Sequence, residues 1–285
     1  MPGRSAQGRP QAPGVLTRRW TAAGWEDAGD ELAAEEPLQL LLDGVPLSIV
    51  MRTPGHDVEL ALGLLWAEGV LRDRAGVRAV RVSAESGEEE RALPVAADLL
   101  ESNQVDVALA PGAGRPPERS FLSSSACGVC GATTLESLAR SFAPLPEGPR
   151  LAPSLLLGLA ERLRAEQRLF DRTGGLHAAA LFDAAGRLVG LREDVGRHNA
   201  VDKVVGRAFL DGRLPASGDV LVVSGRGGYE IVQKAVAAGI PVVAAVGAPS
   251  SLAVATARRF DLTLAGFLRD GRFNVYSAPG RLDGG

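Results

Sequence analysis

Cysteine and histidine are scarce in this sequence, which has two Cys and three His among its 285 residues. A closed structural zinc site needs four ligands, so histidines would have to complete a site built on the single Cys pair. His56, His177 and His198 are scattered singly, and none has the paired spacing of a zinc finger. The sequence therefore argues against a structural zinc site, and we expect no metal ligands.

A zinc-dependent deaminase is also disfavoured. Deaminases of that class place a His-x-Glu motif before their Cys pair, and the glutamate acts as general acid and base. Here the order is His56, Asp57, Val58 and Glu59, which puts the glutamate one residue too far along the chain.

The chain also lacks a surplus of positive charge and a long apolar run. Its 31 Lys and Arg residues are outnumbered by 34 Asp and Glu, so no nucleic-acid partner is expected. The longest apolar stretch, residues 235–248, is interrupted by Gly239, Pro241 and Gly247 and is too short to cross a membrane. Residues 1–17 are polar, which excludes a secretory signal and predicts a disordered tail and a cytoplasmic protein.

The two cysteines, Cys127 and Cys130, stand in a run of Ser, Ala, Gly and Val at residues 123–131. Thr133 and Glu136 have the spacing of a capping box, which predicts a helix from about residue 134 to about 142. The amino end of that helix would favour thiolate, the nucleophilic form of cysteine. A redox or sulfur-carrying role is favoured, although an inert pair in a surface loop has the same pattern.

The first half of the chain, residues 18–110, predicts a small α+β domain. Apolar runs at 38–42 and 45–51 flank Asp43-Gly44, a strong hairpin signal. Apolar residues at helical spacing predict a helix over 57–71. Further strands are predicted at residues 77–82, 91–95 and 105–110.

A Pro/Gly-rich linker at 111–117 opens the second unit, residues 111–285, in which strands and helices alternate. Strands 177–182 and 188–192 are predicted to form a hairpin. Continuous apolar strands at 219–223, 241–246 and 262–265 predict a parallel sheet with helices on both faces. The predicted helices are 154–166, 199–210, 229–238 and 250–259.

Two glycine-rich loops follow buried strands and open helices, at residues 224–228 and 247–251. Open α/β sheets bind ligands at such edges, and helix amino ends favour phosphate. Each loop alone could equally be an ordinary glycine turn. The dense polar run at 192–199 has two interpretations of equal weight: a solvated turn with Asn199 as helix cap, or a polar edge of a ligand cleft.

Taken together, these residues resemble the FdhD/NarQ family of formate dehydrogenase accessory sulfurtransferases. The resemblance covers nearly the whole chain beyond residue 17. The matching segments are Glu35-Glu36-Pro37-Leu38, residues 123–131, Thr173-Gly174-Gly175-Leu176-His177, residues 192–206, Ser224-Gly225-Arg226 and residues 267–276.

The resemblance implies a cytidine-deaminase-like α/β domain preceded by a smaller α+β domain. It implies that Cys127 carries a persulfide with Cys130 as its partner. It also implies a cofactor-binding segment, and the loop pattern adds the loop that follows strand 219–223. The implied cofactor-binding residues are Phe267, Leu268, Arg269, Asp270, Gly271 and Arg272, together with Ser224, Gly225 and Arg226.

Family members move sulfur from a cysteine desulfurase to the molybdenum cofactor, in its bis(molybdopterin guanine dinucleotide) form, for formate dehydrogenase. The resemblance thus implies a sulfurtransferase with no cofactor of its own, two protein partners and a homodimer. Two alternatives remain. One is a non-catalytic chaperone for the cofactor. The other is a thiol–disulfide oxidoreductase, although the pair lacks the thioredoxin setting after a strand of a βαβ unit.

Overall fold

The computed structural model describes residues 10–83, 93–100, 103–113 and 142–284, without the side chains of 96–100. The strands are β1 Gly14–Thr21, β2 Gly24–Glu31, β3 Glu36–Leu42, β4 Val45–Arg52, β5 Val77–Ser83, β6 Val95–Leu100, β7 Gln104–Leu109, β8 His177–Asp183, β9 Leu188–Asp194, β10 Asp219–Val223, β11 Val242–Ala245, β12 Thr263–Arg269 and β13 Arg272–Ser277. The α-helices are α1 Asp57–Ala67, α2 Pro153–Ala165, α3 Arg168–Thr173, α4 Arg197–Leu210, α5 Tyr229–Ala237 and α6 Ser251–Arg259.

The first unit is built on a five-stranded sheet in the order β4-β3-β7-β5-β6. β3 and β4 pair antiparallel, and Asp43 and Gly44 both have positive φ, as the predicted two-residue hairpin requires. β1 and β2 form a separate antiparallel pair that the sequence did not predict. The boundary predicted at residue 17 has to be corrected, because it falls inside β1.

The second unit is a six-stranded sheet in the order β13-β12-β11-β10-β8-β9. Only β10, β11 and β12 run parallel, so the predicted parallel sheet is confined to the middle strands. Side chains alternate across β8: Ala179 and Leu181 join the core beneath α4, α5 and α6, whereas Ala180 and Phe182 join the core beneath α2. The predicted α/β class, with helices on both faces of the sheet, is confirmed.

The two units share one hydrophobic core. It contains Val80 and Val107 of the first sheet together with Val201 and Leu221 of the second unit. Every residue of α1 except Leu64 is buried, because the helix packs against α4. Beyond the carboxylates of Asp57 and Glu59 in its first turn, α1 is apolar on all sides, as expected for a helix that is buried all round.

Buried ion pairs tie α1 and α4 to the strands that lead into them. The Arg52 guanidinium donates to both carboxylate oxygens of Asp57, at 2.9 and 2.8 Å. Lys203 Nζ, fully buried, lies 2.8 Å from Asp194 Oδ2 and donates to the Thr53 carbonyl at 2.8 Å. Removing one member would leave a buried charge unpaired, so the first pair holds α1 to β4 and the second holds α4 to the end of β9. None of the helices in the described ranges is long and apolar enough to span a bilayer.

A carboxylate at the end of α1 makes stability depend on pH. Glu68 is the C-cap of α1, and burial raises its pKa to about 7, while Lys234 opposes the shift. Because the pKa of Glu68 is higher in the folded chain than in the unfolded chain, this carboxyl contributes stability at pH values below its unfolded pKa. That contribution is lost as pH rises through 7. We expect Glu68→Gln to be more stable than wild type by about 1–2 kcal/mol at pH 8, with little difference at pH 4.5.

Urea unfolding at both pH values checks this prediction. Glu166→Gln is the matched control, since Glu166 is the C-cap of α2 but is exposed to solvent. The control should change stability equally at both pH values. A Glu68→Gln protein whose advantage does not grow with pH would show that this carboxyl titrates normally.

Candidate functional site

The carboxyl ends of β10, β11 and β12 meet at one edge of the second sheet, and their loops are joined there by backbone hydrogen bonds. The Gly247 amide donates to the Gly225 carbonyl at 2.9 Å, and the Phe267 amide donates to the Gly247 carbonyl at 3.1 Å. The Ser250 amide donates to the Gly227 carbonyl at 3.3 Å. The structure therefore brings together the loops at 224–228 and 247–251 and the segment 267–272.

Glycine at position 247 permits this close approach. A Cβ atom added there would lie 3.0 Å from the Gly225 carbonyl oxygen and 3.1 Å from the Arg226 Cα atom. These distances are tighter than almost all real Cβ contacts, and both neighbours are backbone atoms that cannot rotate away. Glycine at position 247 is therefore required by the packing of one loop on the other.

Two helix amino ends lie at this edge. α5 begins after Gly228, which has no side chain to cap it, so its first amide groups are left for solvent or a ligand. α6 begins after Ser250, whose Oγ accepts from the Ala253 amide at 3.3 Å. Uncapped amides and the helix dipole favour an anion at the start of α5.

Residues 267–272 form the tip of the β12–β13 hairpin. From the sequence this segment was predicted only to follow a strand, and the hairpin was not predicted. Asp270 and Gly271 have positive φ and form its two-residue turn. Arg269 and Arg272 face each other across the turn, and both are exposed. The Arg269 guanidinium lies 5.9 Å from the centre of the Phe267 ring. The hairpin thus presents two adjacent guanidinium groups to solvent.

More positive charge surrounds the 224–228 loop. His177, at the start of β8, has its pKa lowered by burial and then by the charges of Arg197, His198 and Arg226. A Cβ atom at Gly225 would lie 3.2 Å from His177 Nδ1. Within the described ranges, Arg197 Nε is the one buried side-chain nitrogen or oxygen without a hydrogen-bond partner. This end of the sheet therefore favours a bound anion.

A cavity of about 860 Å³ opens beside these groups. Ser224, Leu268, Arg269, Asp270 and Gly271 line it, and they were predicted as cofactor-binding residues. The sequence did not predict the remaining wall, which comes from α2, α3, the segment before β8 and the first residue of β8. Its lining residues include Leu157, Ala160, Glu161, Leu163, Arg164, Gln167, Phe170, Gly174, Gly175 and His177.

The polar run 192–199 mainly positions this wall and α4. The Glu193 carboxylate accepts from the Leu169 and Phe170 amides, at 2.9 and 2.8 Å, and so holds α3 against β9. Gly196 is the cap of α4 and Asn199 lies in the first turn of the helix, so the interpretation in which Asn199 is the cap is wrong. Its Nδ2 donates to the Met51 carbonyl at 2.7 Å and to Asp194 at 2.9 Å.

Both predicted sulfur residues, Cys127 and Cys130, lie outside the described residues, as does the capping box of Thr133 and Glu136. Within residues 10–83, 93–100, 103–113 and 142–284, no group of three or more His, Cys, Asp or Glu could hold a metal ion.

Comparison with known proteins places this geometry in a family. The model of the FdhD/NarQ family matches residues 33–283. The sulfur carrier protein FdhD of Streptomyces coelicolor is 50% identical over 259 residues, which cover 89% of each chain. The protein of that name from Mycobacterium tuberculosis is 46% identical and covers 89% of this chain and 92% of its own.

Solved structures are also similar to this chain. One of them comes from Desulfotalea psychrophila, and its protein has been proposed to be a formate dehydrogenase accessory protein. The two chains superpose with a TM-score of 0.74, over 96% of this chain and all of the other, at 24% sequence identity. At that identity, the likeness concerns the fold alone.

Proposed function

Because this chain belongs to the FdhD/NarQ family, we propose that it is a sulfurtransferase that carries sulfur as a persulfide on Cys127. The donor is a cysteine desulfurase, and the acceptor is the molybdenum cofactor in its bis(molybdopterin guanine dinucleotide) form. The client that requires the sulfurated cofactor is formate dehydrogenase. Relatives that are about half identical over most of the chain are named sulfur carrier proteins, which supports the carrier role.

Loading requires a nucleophilic thiolate. The Cys127 thiolate attacks the outer sulfur of the desulfurase persulfide, and the donor S–S bond breaks. The desulfurase cysteine leaves as a thiolate, while Cys127 now holds the persulfide. One S–S bond replaces another, so the step balances without an external oxidant.

Release can use the second thiol. The Cys130 sulfur bonds to the inner sulfur of the Cys127 persulfide, and the outer sulfur departs with the proton of Cys130 as hydrosulfide. The two cysteines thereby supply the electron pair that reduces the departing sulfur. A dithiol reductant must then reopen their disulfide before the next cycle.

The convergence of three loops at one sheet edge is the observation that supports binding of the acceptor. The acceptor carries pyrophosphate groups, which match an uncapped helix amino end and the guanidinium groups of Arg226, Arg269 and Arg272. The adjoining cavity, about 860 Å³, falls within the size range of small-molecule sites. The bound cofactor is the sulfur acceptor, and the chain supplies only its binding surface.

The same proposal includes a cytoplasmic homodimer. A chaperone that only holds the cofactor would use the same sheet edge but would not accept sulfur. Incubation with a desulfurase and cysteine separates the two functions, since a chaperone remains unmodified.

The hairpin arginines give a binding test. We expect Arg269→Ala and Arg272→Ala each to weaken GDP binding by about tenfold, because a charge-assisted hydrogen bond contributes about 1.5–3 kcal/mol. Calorimetric titration of GDP measures the effect. Persulfide loading should be unchanged, since loading does not use the acceptor site.

Arg259→Ala is the matched control, because Arg259 is exposed at the carboxyl end of α6, away from the loop that begins this helix. Its GDP affinity should equal that of wild type. An unchanged affinity in the Arg269→Ala/Arg272→Ala double variant would remove the hairpin from the acceptor site.

A further inference from the structure

The β1–β2 ribbon has one face that is open to solvent. Among the described strands, β1 and β2 pair only with each other. Side chains alternate between the two faces of a strand. The cross-strand pairs on the open side, here called the ribbon face, are Leu16 with Gly29, Arg18 with Asp27, and Trp20 with Trp25. Leu16 is 94% exposed, and Trp20 and Trp25 are 64% and 62% exposed. The ribbon face therefore presents large apolar side chains to solvent.

Only the base of the ribbon is tied to the second unit. The Arg172 guanidinium of α3 donates to both carboxylate oxygens of Glu31, at 2.9 and 2.5 Å. The rings of Trp20 and Trp25 stand at the other end, beside the turn, with their centres 5.3 Å apart. A two-stranded ribbon is marginally stable alone in water, and exposed apolar patches commonly mark interaction sites. We therefore expect a partner to cover the ribbon face.

The charged pair in the middle of this face remains available to a partner. Arg18 Nε lies 3.7 Å from Asp27 Oδ1, and the two side chains are 70% and 90% exposed. The Arg18 guanidinium also lies 5.5 Å from the centre of the Trp25 ring. Ion pairs this exposed contribute little to stability, so both charges can meet opposite charges on another molecule. β1 thus carries a cation and β2 an anion in the same row of the face.

We propose that the ribbon face is a dimer interface, covered by the ribbon face of a second copy of this chain. A two-fold axis parallel to the strands places β1 of one copy over β2 of the other. Leu16 then fills the space over Gly29 of the partner subunit, and Arg18 meets Asp27 of the partner subunit. Each contact occurs twice, as in any two-fold interface. The inference rests on the proposed function, whose homodimer it supplies with an interface.

Charge selects this arrangement over the other way of stacking two ribbons by a two-fold axis. With the axis across the strands, β1 would lie over β1, so Arg18 would face the same residue of the other copy, as would Asp27. Like charges in contact oppose association. Each strand has eight residues, which gives a face about 25 Å long and less area than a standard interface. We therefore expect a reversible dimer with a dissociation constant in the micromolar range.

Sedimentation velocity of the full chain over a concentration series tests the interface. Leu16→Arg should weaken the dimer by at least about tenfold, because the new charge would be buried over Gly29 without a partner. Leu16 is 94% exposed in the single chain, so the dilute variant should melt at the temperature of dilute wild type. Val45→Arg is the matched control, since Val45 is 66% exposed at the start of β4, outside the ribbon. The control should dimerise like wild type.

Exchanging the two charges tests which strand lies over which. The Arg18→Asp/Asp27→Arg double variant keeps opposite charges in contact in its own dimer, so its affinity should stay within about threefold of wild type. In a mixed dimer with wild type, like charges would meet at both positions. Energy transfer between dyes on the amino termini should show at least about tenfold fewer mixed dimers than random pairing gives. Mixed dimers in excess of random pairing would contradict the proposed stacking.

The remaining outcomes separate this inference from the proposed function. A wild type that dimerises while Leu16→Arg dimerises equally well overturns the ribbon interface and leaves the homodimer standing. A wild type that stays monomeric overturns both, and tryptophan emission then reports on Trp20 and Trp25: emission of buried indole means that the chain covers its own ribbon face. Emission of exposed indole that shifts when a cysteine desulfurase or formate dehydrogenase is added means that another protein does. Sulfur loading of Cys127 tests the carrier role independently in every case.

Discussion

Cys127→Ala is expected to abolish activation of the client enzyme. Alanine has no atom that can hold the transferred sulfur, so neither loading nor delivery can occur. The neighbours of Cys127 in sequence are Ser, Ala, Gly and Val, so the loss of its small side chain should cost little stability. The assay compares formate dehydrogenase activity in cells that express the wild-type chain or the variant.

Cys130→Ala is the matched control for this experiment. Its effect should be smaller, because an external thiol can replace a resolving cysteine. Normal activation by the Cys127→Ala protein would show that another residue carries the sulfur. An equally complete loss in Cys130→Ala would show that the two thiols act as one unit.

Gly206→Ala is expected to have the largest effect on stability. Where α4 crosses α1, a Cβ atom at Gly206 would lie 1.8 Å from the Glu59 carbonyl oxygen and 2.6 Å from its carbon. Backbone atoms inside a buried helix cannot rotate away, so the two helices would have to separate. We expect a loss of about 3–5 kcal/mol in the free energy of unfolding, at the upper end of overpacking effects.

The same substitution on α2 provides the control. A Cβ atom at Gly158 would meet nothing within 4 Å, so Gly158→Ala should stabilise the protein by about 0.5–1 kcal/mol through helix propensity. Urea unfolding of both variants measures the difference. If Gly206→Ala were as stable as wild type, the close crossing of α1 and α4 would be wrong, and with it the shared core.

Local signals explain which parts of the fold were predictable. β10 spans residues 219–223, as predicted, because a short apolar run ends where polar and glycine residues begin. The β1–β2 pair was missed because its side chains are mostly exposed, among them Trp20 and Trp25, which are more than 60% exposed. A strand that buries neither face lacks the apolar alternation by which strands are recognised.

The candidate site also has one part that could be predicted from the sequence and one part that could not. Glycine and serine after a strand identify a loop locally, so the loops at 224–228 and 247–251 could be predicted from sequence. The α2–α3 wall could not, since Leu156, Leu159 and Leu163 have the spacing of an ordinary core helix and do face the core. The cavity that these helices line becomes apparent only in the folded chain. Such features depend on contacts between residues that are far apart in the sequence, and local periodicity carries no information about those contacts.

The central claim is that Cys127 carries a persulfide, and peptide mass spectrometry tests it most directly. The full chain is incubated with a cysteine desulfurase and cysteine, alkylated without reduction and digested. The account predicts that the peptide containing Cys127 gains the mass of one sulfur atom on that residue, that Cys127→Ala shows no gain, and that the Arg269→Ala/Arg272→Ala protein loads normally. An unmodified Cys127 in a chain that still activates formate dehydrogenase would contradict the account.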